Sequence, residues 1–250
     1  MKRTIGELAL VAALWAGAML ASAASPEKEK KEDGTDNMKA RRILFLGNSI
    51  TRHGPKADIG WTNDCGMAAS ALEKDYVHLL IDRIAGAAKR PPDASINNIA
   101  DFERQYASYD LAPLIKKCVD FKADVVVLAI GENVPALASA DAKARFKRAV
   151  AGLLGALKKD AAPIIFVRSS FWADSAKDAV LKEACEAVGG VFVDISSLGR
   201  DESNCARSER KFQHDGVAAH PGDKGMKAIA DAIWTAMPTK PRPVPTGPAR

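Results

Sequence analysis

Apolar residues along this chain alternate between short continuous runs and longer stretches of helical period. Residues 42–46 form one run, closed by Gly47, which is the pattern of a buried strand. Residues 124–130, DVVVLAI, form a second run, rich in β-branched side chains and without polar alternation. A strand that is apolar at every position is covered on both faces, which places it in a parallel sheet. Residues 94–99, 163–167 and 191–194 predict three further strands. Inside 66–89, Leu72, Tyr76, Leu79, Leu80 and Ile84 recur at helical spacing. Phe146, Val150, Leu153, Leu154 and Leu157 form one stripe inside 141–159. Residues 111–121, 176–188 and 223–237 predict the remaining helices, the last with Asp223 as its N-cap. Five strands alternating with helices predict an α/β fold, a doubly wound three-layer sandwich around a five-stranded parallel sheet. Right-handed crossovers bring the C-terminal ends of such strands to one edge, where ligands bind.

The two ends of the chain stand outside this pattern. Residues 1–24 combine Met1-Lys2-Arg3, an apolar run over 5–21 broken by Glu7, and small residues at Ala21-Ser22-Ala23. They read as a secretory signal peptide and imply a secreted or periplasmic protein, an uncleaved anchor being the alternative. Residues 25–40 are polar and predict a flexible leader; 238–250 are Pro-rich and predict a PPII-like tail. The domain is expected over 41–237, with no stable membrane insertion after signal cleavage. Hydrophobic residues make up 47% of the chain, enough for a packed core. The net charge is +5, but 36 Lys and Arg are interleaved with 31 Asp and Glu. Nucleic-acid binders gather their cations on one element, so no nucleic-acid partner is expected. The basic residues of 141–159 read as the solvated face of a packed helix, not as a membrane-surface helix. Cys65, Cys118, Cys185 and Cys205 form no C-x-x-C and have no His at metal spacing, so no metal is expected. They are either disulfide-bonded, Cys185 with Cys205 having the shortest separation, or four buried thiols.

Polar segments fall where the strands end. Ser49 sits in Gly47-Asn48-Ser49-Ile50-Thr51, directly after the first strand. Gly47 permits a sharp turn there, and a hydroxyl at that point faces the ligand edge beside backbone N–H groups. Taken alone, Ser49 fits a helix N-cap better than a nucleophile. Asn133, in Gly131-Glu132-Asn133, can donate its amide to the same edge or close its own turn. His220 precedes Pro221, which confines it to extended backbone just before the last helix. A neutral imidazole so placed can take a proton from a serine hydroxyl. Together the three predict acyl transfer through a serine nucleophile, a reaction that needs no cofactor. The chain has no G-x-G-x-x-G and no P-loop, so nucleotide binding has no support.

The segment 43–51, ILFLGNSIT, resembles the first block of the SGNH (GDSL-type) hydrolases. Gly131-Glu132-Asn133 resembles the third block of that family, and His220-Pro221 with Asp223, Gly225 and Met226 resembles the last. The resemblance spans about 41–237 and implies a flavodoxin-like α/β/α fold and ester hydrolysis. Carried over by position, it implies Ser49 as nucleophile, His220 as base, and Asn133 with the Ser49 N–H as oxyanion donors. Two departures stand out. The family's second block supplies a glycine N–H, whereas Asn98-Ile99-Ala100-Asp101-Phe102-Glu103 contains none, leaving the N–H of Phe102 or Glu103 as candidates. The family's acid three residues before the histidine is Val217 here, and Asp215 lies two residues further back. Either Asp215 reaches the imidazole through a bulge, or a backbone carbonyl orients the ring.

For the substrate, Trp61, Glu132 and Trp172 are candidate contacts, both tryptophans also fitting ordinary packing. A polar, aromatic rim on an exported protein favours O-acetyl esters of carbohydrates, a small-molecule or glycan ester. A lysophospholipase or thioesterase would need an apolar groove instead. A non-catalytic glycan-binding domain with a degraded site is the reading outside enzymology.

Overall fold

The computed structural model describes residues 40–237. The expected signal peptide and the Pro-rich tail lie outside the described residues, as does the leader up to residue 39. Ala40, expected in the leader, is buried in the core.

The five expected strands form one sheet, β1 (Arg42–Gly47), β2 (Asp93–Asn98), β3 (Val125–Ala129), β4 (Ile164–Arg168) and β5 (Val191–Val193), in the order β2-β1-β3-β4-β5. Every pairing is parallel. Successive side chains on a strand face opposite ways. Ile43, Phe45, Val125 and Val127 therefore join one core, and Leu44, Leu46, Val126 and Leu128 the other. The first core is closed by α1 (Tyr76–Ala88) and α7 (Asp223–Ala236), which pack together. The second is closed by α3 (Ala112–Asp120), α4 (Ala140–Ala161) and α5 (Ser175–Ala187), with Phe102 of the short α2 (Ala100–Gln105). The result is the predicted three-layer α/β/α sandwich. No helix among the described residues is long and apolar enough to cross a membrane.

Three local differences bear on the site. The first helix starts at Tyr76, not near Gly66. The buried Asp75 carboxylate caps it by accepting from His78 N–H at 2.8 Å, and also accepts from Gly66 N–H at 3.0 Å. That tie holds 66–75 as a strap, and Met67 N–H donates to the Ser49 carbonyl at 2.8 Å. At the last helix the expected cap is replaced. Asp223 is already helical, and the Glu209 carboxylate accepts from Asp223 and Lys224 N–H, both at 2.8 Å. Asp223 instead accepts from Ser70. Finally, the four cysteines are free and buried. Cys185 lies in the core on one face of the sheet and Cys205 in the core on the other, so the shortest pairing in sequence spans the sheet.

Candidate active site

Gly47 ends β1 where a side chain has no room: a Cβ there would collide with Thr51 Oγ1 and the Ala129 carbonyl. The chain then turns at once, Thr51 and Arg52 N–H donating to the Asn48 carbonyl at 2.9 and 3.0 Å. This tight turn carries Ser49 at the C-terminal edge of the sheet. On the other side, His220-Pro221-Gly222 is strapped to 204–206. Ala206 N–H donates to the His220 carbonyl at 2.8 Å, and Gly222 N–H to the Asn204 carbonyl at 2.9 Å.

These two supports bring Ser49 Oγ within 2.8 Å of His220 Nε2, although 171 positions separate them in the chain. The other ring nitrogen, Nδ1, lies 2.6 Å from the Gly216 carbonyl. A carbonyl only accepts, so Nδ1 must carry the hydrogen. Nε2 is then the free lone pair, and Ser49 donates to it. This is the tautomer a general base requires. Burial pushes the imidazole below its ordinary 6.5, and the Gly216 carbonyl and the Glu132 charge oppose that only in part.

The expectation that Asp215 orients the ring is corrected. Asp215 opens the short helix α6 (Asp215–Ala218) with its side chain exposed, and the helix presents the next residue's carbonyl to the ring. Of the two readings left open by the spacing, the backbone carbonyl is the observed one.

Asn133 stands at the end of β3, beside β1. Its Nδ2 donates to Glu103 Oε2 at 2.9 Å, and Arg104 donates to its Oδ1 at 3.3 Å. Glu103 was a candidate through its backbone N–H, but that group donates to the Ile99 carbonyl at 3.3 Å. What Glu103 contributes is its buried carboxylate. The Phe102 side chain is buried, and its N–H falls in the first turn of α2, where N–H groups have no partner within the helix.

Glu132, expected at the substrate, is turned inward. Its side chain is 3% exposed and pairs at 2.6 Å with Nη1 of the fully buried Arg168. It also accepts from Asn48 Nδ2 at 2.7 Å and from Phe171 N–H at 2.8 Å. Burial opposes its ionisation, but Arg168 and these N–H groups outweigh that and hold it below the usual carboxylate range. Glu103 goes the other way: burial first, then the Glu132 charge, raise it. Gly131 makes this crossing possible. Its φ of +128° suits glycine alone, and a Cβ would collide with Ser170 Oγ. Two nitrogens of Arg168, Nε and Nη2, have no hydrogen-bond partner among the described residues.

The tryptophans separate. Trp61 is 5% exposed and ties its indole N–H to the His53 carbonyl at 2.9 Å, so it packs beneath the loop as the alternative reading held. Trp172 is 37% exposed and stands edge-on to His220, ring centres 5.2 Å apart. Motif reading missed Asn48, the Glu103 carboxylate and Arg168, and did not say which residue's carbonyl orients the ring. Only Arg168 left a mark in the sequence, as a charge closing the apolar run 164–168.

No protein-family model matches the chain. No curated protein matches it either. Among solved structures it is similar to one described as a GDSL-like lipase from Bacteroides uniformis ATCC 8492. They are 14% identical with a TM-score of 0.51, over 79% of this chain and 95% of that one. A second GDSL-like lipase, from Bacteroides ovatus ATCC 8483, is 12% identical with a TM-score of 0.50, over 78% of this chain and 96% of that one. With these two GDSL-like lipases the chain shares its fold.

Proposed function

We propose that this protein is a serine ester hydrolase in which Ser49 is the nucleophile and His220 the general base. The observation that carries this reading is the 2.8 Å Ser49–His220 contact, with the imidazole tautomer set by Gly216. His220 Nε2 takes the Ser49 proton as Oγ attacks the ester carbonyl. The Ser49 and Phe102 N–H groups and the Asn133 amide stabilise the oxyanion, and His220 returns the proton to the leaving alcohol. Water then attacks the acyl-enzyme by the same route. The protonated imidazole is steadied by a carbonyl dipole in place of a carboxylate, which makes His220 a weaker base than in a full triad.

A short acyl group, with acetyl first, fits this site best. Leu72 and Trp172 are the only large hydrophobic side chains exposed among the described residues, which leaves little apolar surface for a long chain. Trp172, part-exposed beside His220, offers a ring for a sugar to pack against. On this reading the natural substrate is an O-acetylated carbohydrate, met outside the cytoplasm if residues 1–24 are the signal they resemble. The test is a series of p-nitrophenyl esters from acetate to decanoate. Turnover falling steeply beyond butyrate supports the acetyl reading; a maximum at octanoate or longer replaces it with a lipolytic one. No turnover of any ester, with no labelling of Ser49 by a fluorophosphonate, leaves the glycan-binding reading.

Two further results follow from the histidine. Only neutral His220 is a base, so kcat/KM falls as pH drops through its pKa. Because burial holds that value under 6.5, the acid half-point of the pH–rate profile is expected below 6.5. A half-point above about 7 would show a carboxylate supporting the ring. Correspondingly, Asp215→Ala is expected to keep kcat/KM within about threefold, whereas losing the acid of a triad costs about 10⁴-fold. A loss beyond 100-fold would return Asp215 to the site.

A further inference from the structure

Four N–H bonds converge on the buried Glu103 carboxylate. Oε1 accepts from Gly131 N–H at 2.6 Å, from Asn133 N–H at 3.3 Å and from Asn48 Nδ2 at 3.3 Å, and Oε2 accepts from Asn133 Nδ2 at 2.9 Å. All the partners are donors, so the group is used as an ionised acceptor. The side chain thereby joins the residue before the nucleophile to the end of the neighbouring strand. It also settles which way round the Asn133 amide lies. Nδ2 faces Glu103, and Oδ1 faces Arg104. An amide nitrogen has two hydrogens. One is spent on Glu103, and the other remains for a substrate. Released from Glu103, the amide keeps only the exposed 3.3 Å bond from Arg104, and once turned over it would offer its oxygen, which repels an oxyanion.

We infer that Glu103 is a positioning residue that holds the Asn133 amide with its N–H aimed at the oxyanion. This rests on the hydrolase reading above. It assigns the acidic residue after β2, where the related hydrolases were expected to supply a glycine N–H, a part played by its side chain.

The test is steady-state hydrolysis of p-nitrophenyl acetate by the full chain, wild type beside Glu103→Gln, Asn133→Ala and the double variant. Gln keeps the shape but places an NH₂ group against donors. Removing one oxyanion donor costs about 100-fold or more in kcat, and the same loss is expected for each single variant. KM is expected to stay within about threefold. The double variant should be no more than about threefold below Asn133→Ala, because both changes disable one donor. If Glu103 only supports the fold, the melting temperature drops and kcat of the folded protein stays near wild type; that result overturns the inference, as does a Glu103→Gln loss that multiplies with that of Asn133→Ala. Should Glu103→Gln fail to fold, Glu103→Met, which removes the buried charge without leaving a hole, carries the same expectations. An inert wild type overturns the hydrolase reading and this inference with it. An active wild type with unaffected Glu103 variants overturns this inference alone.

Discussion

Ser49→Ala is expected to abolish ester hydrolysis, lowering kcat for p-nitrophenyl acetate by about 10⁴-fold or more while the protein stays folded. The two halves of that result have separate causes. Ser49 Oγ touches His220 Nε2, and the turn around it is held by backbone bonds from Thr51, Arg52 and Met67 and by the Asn48 side chain. Deleting the hydroxyl leaves those bonds intact, so stability should change by less than about 1 kcal/mol. A serine acting as a helix cap would behave oppositely: its loss costs stability and leaves the rate alone. His220→Ala is expected to match Ser49→Ala in rate, and the double variant to be no slower, because nucleophile and base act as one unit. Residual activity above about one part in 100 in Ser49→Ala would place the nucleophile elsewhere. A fluorophosphonate that still labels the variant would do the same.

The largest stability effect is expected at Arg168. Its guanidinium is fully buried and supplies the cation for the equally buried Glu132. Burying two charges costs several kcal/mol each, and the pair is tolerable only while both partners are present. Arg168→Met leaves Glu132 charged and inside. Its remaining bonds come from Asn48 and from Phe171 N–H, neither of which carries a charge. The expected loss is about 3–5 kcal/mol in urea unfolding, a large share of what holds a domain of this size. Arg168→Met with Glu132→Leu should regain much of it, since an apolar pair of similar volume has no desolvation cost. A single variant within about 1 kcal/mol of wild type would mean that Glu132 takes up a proton when its partner is lost. The damage should also reach the site. Glu132 holds Asn48 and Phe171, the neighbours of Ser49 and Trp172 in sequence, so activity is expected to fall before the protein melts.

How far the site could be read in advance differs from residue to residue. Ser49 and His220 were legible because each stands in a short motif at the end of a predicted element. Their meeting follows once the strands are parallel and the crossovers right-handed. The orienting group was not legible. A carboxylate can be sought at a set spacing, but every residue has a carbonyl, and only the pitch of α6 decides that Gly216 presents one to the ring. Trp61 and Trp172 look alike as aromatic residues in loops at the ligand edge. Trp61 became core because the loop carrying it folds down and takes its indole N–H, while Trp172 stayed half-open against His220. Glu132 lies between two motif residues and was read as facing the substrate. Nothing local reveals that Arg168, on another strand, draws it inward.

By itself, then, the chain's apolar pattern determined the strand and helix order, and with it the parallel sheet, because continuous apolar runs are stable only when covered on both faces. It also placed Ser49 and His220 at the ends of elements, since a Gly-x-Ser turn after β1 and a His-Pro step before α7 are properties of neighbouring residues. The tertiary structure alone decided the partners. Asn133 on Glu103, Glu132 on Arg168, His220 on Gly216, and Cys185 kept from Cys205 by the sheet all join residues far apart in the chain or offer groups that any residue could supply. Such choices rest on burial. A charge or amide removed from water must take whatever partner the packed chain brings within reach, and that partner exists only once the layers have closed.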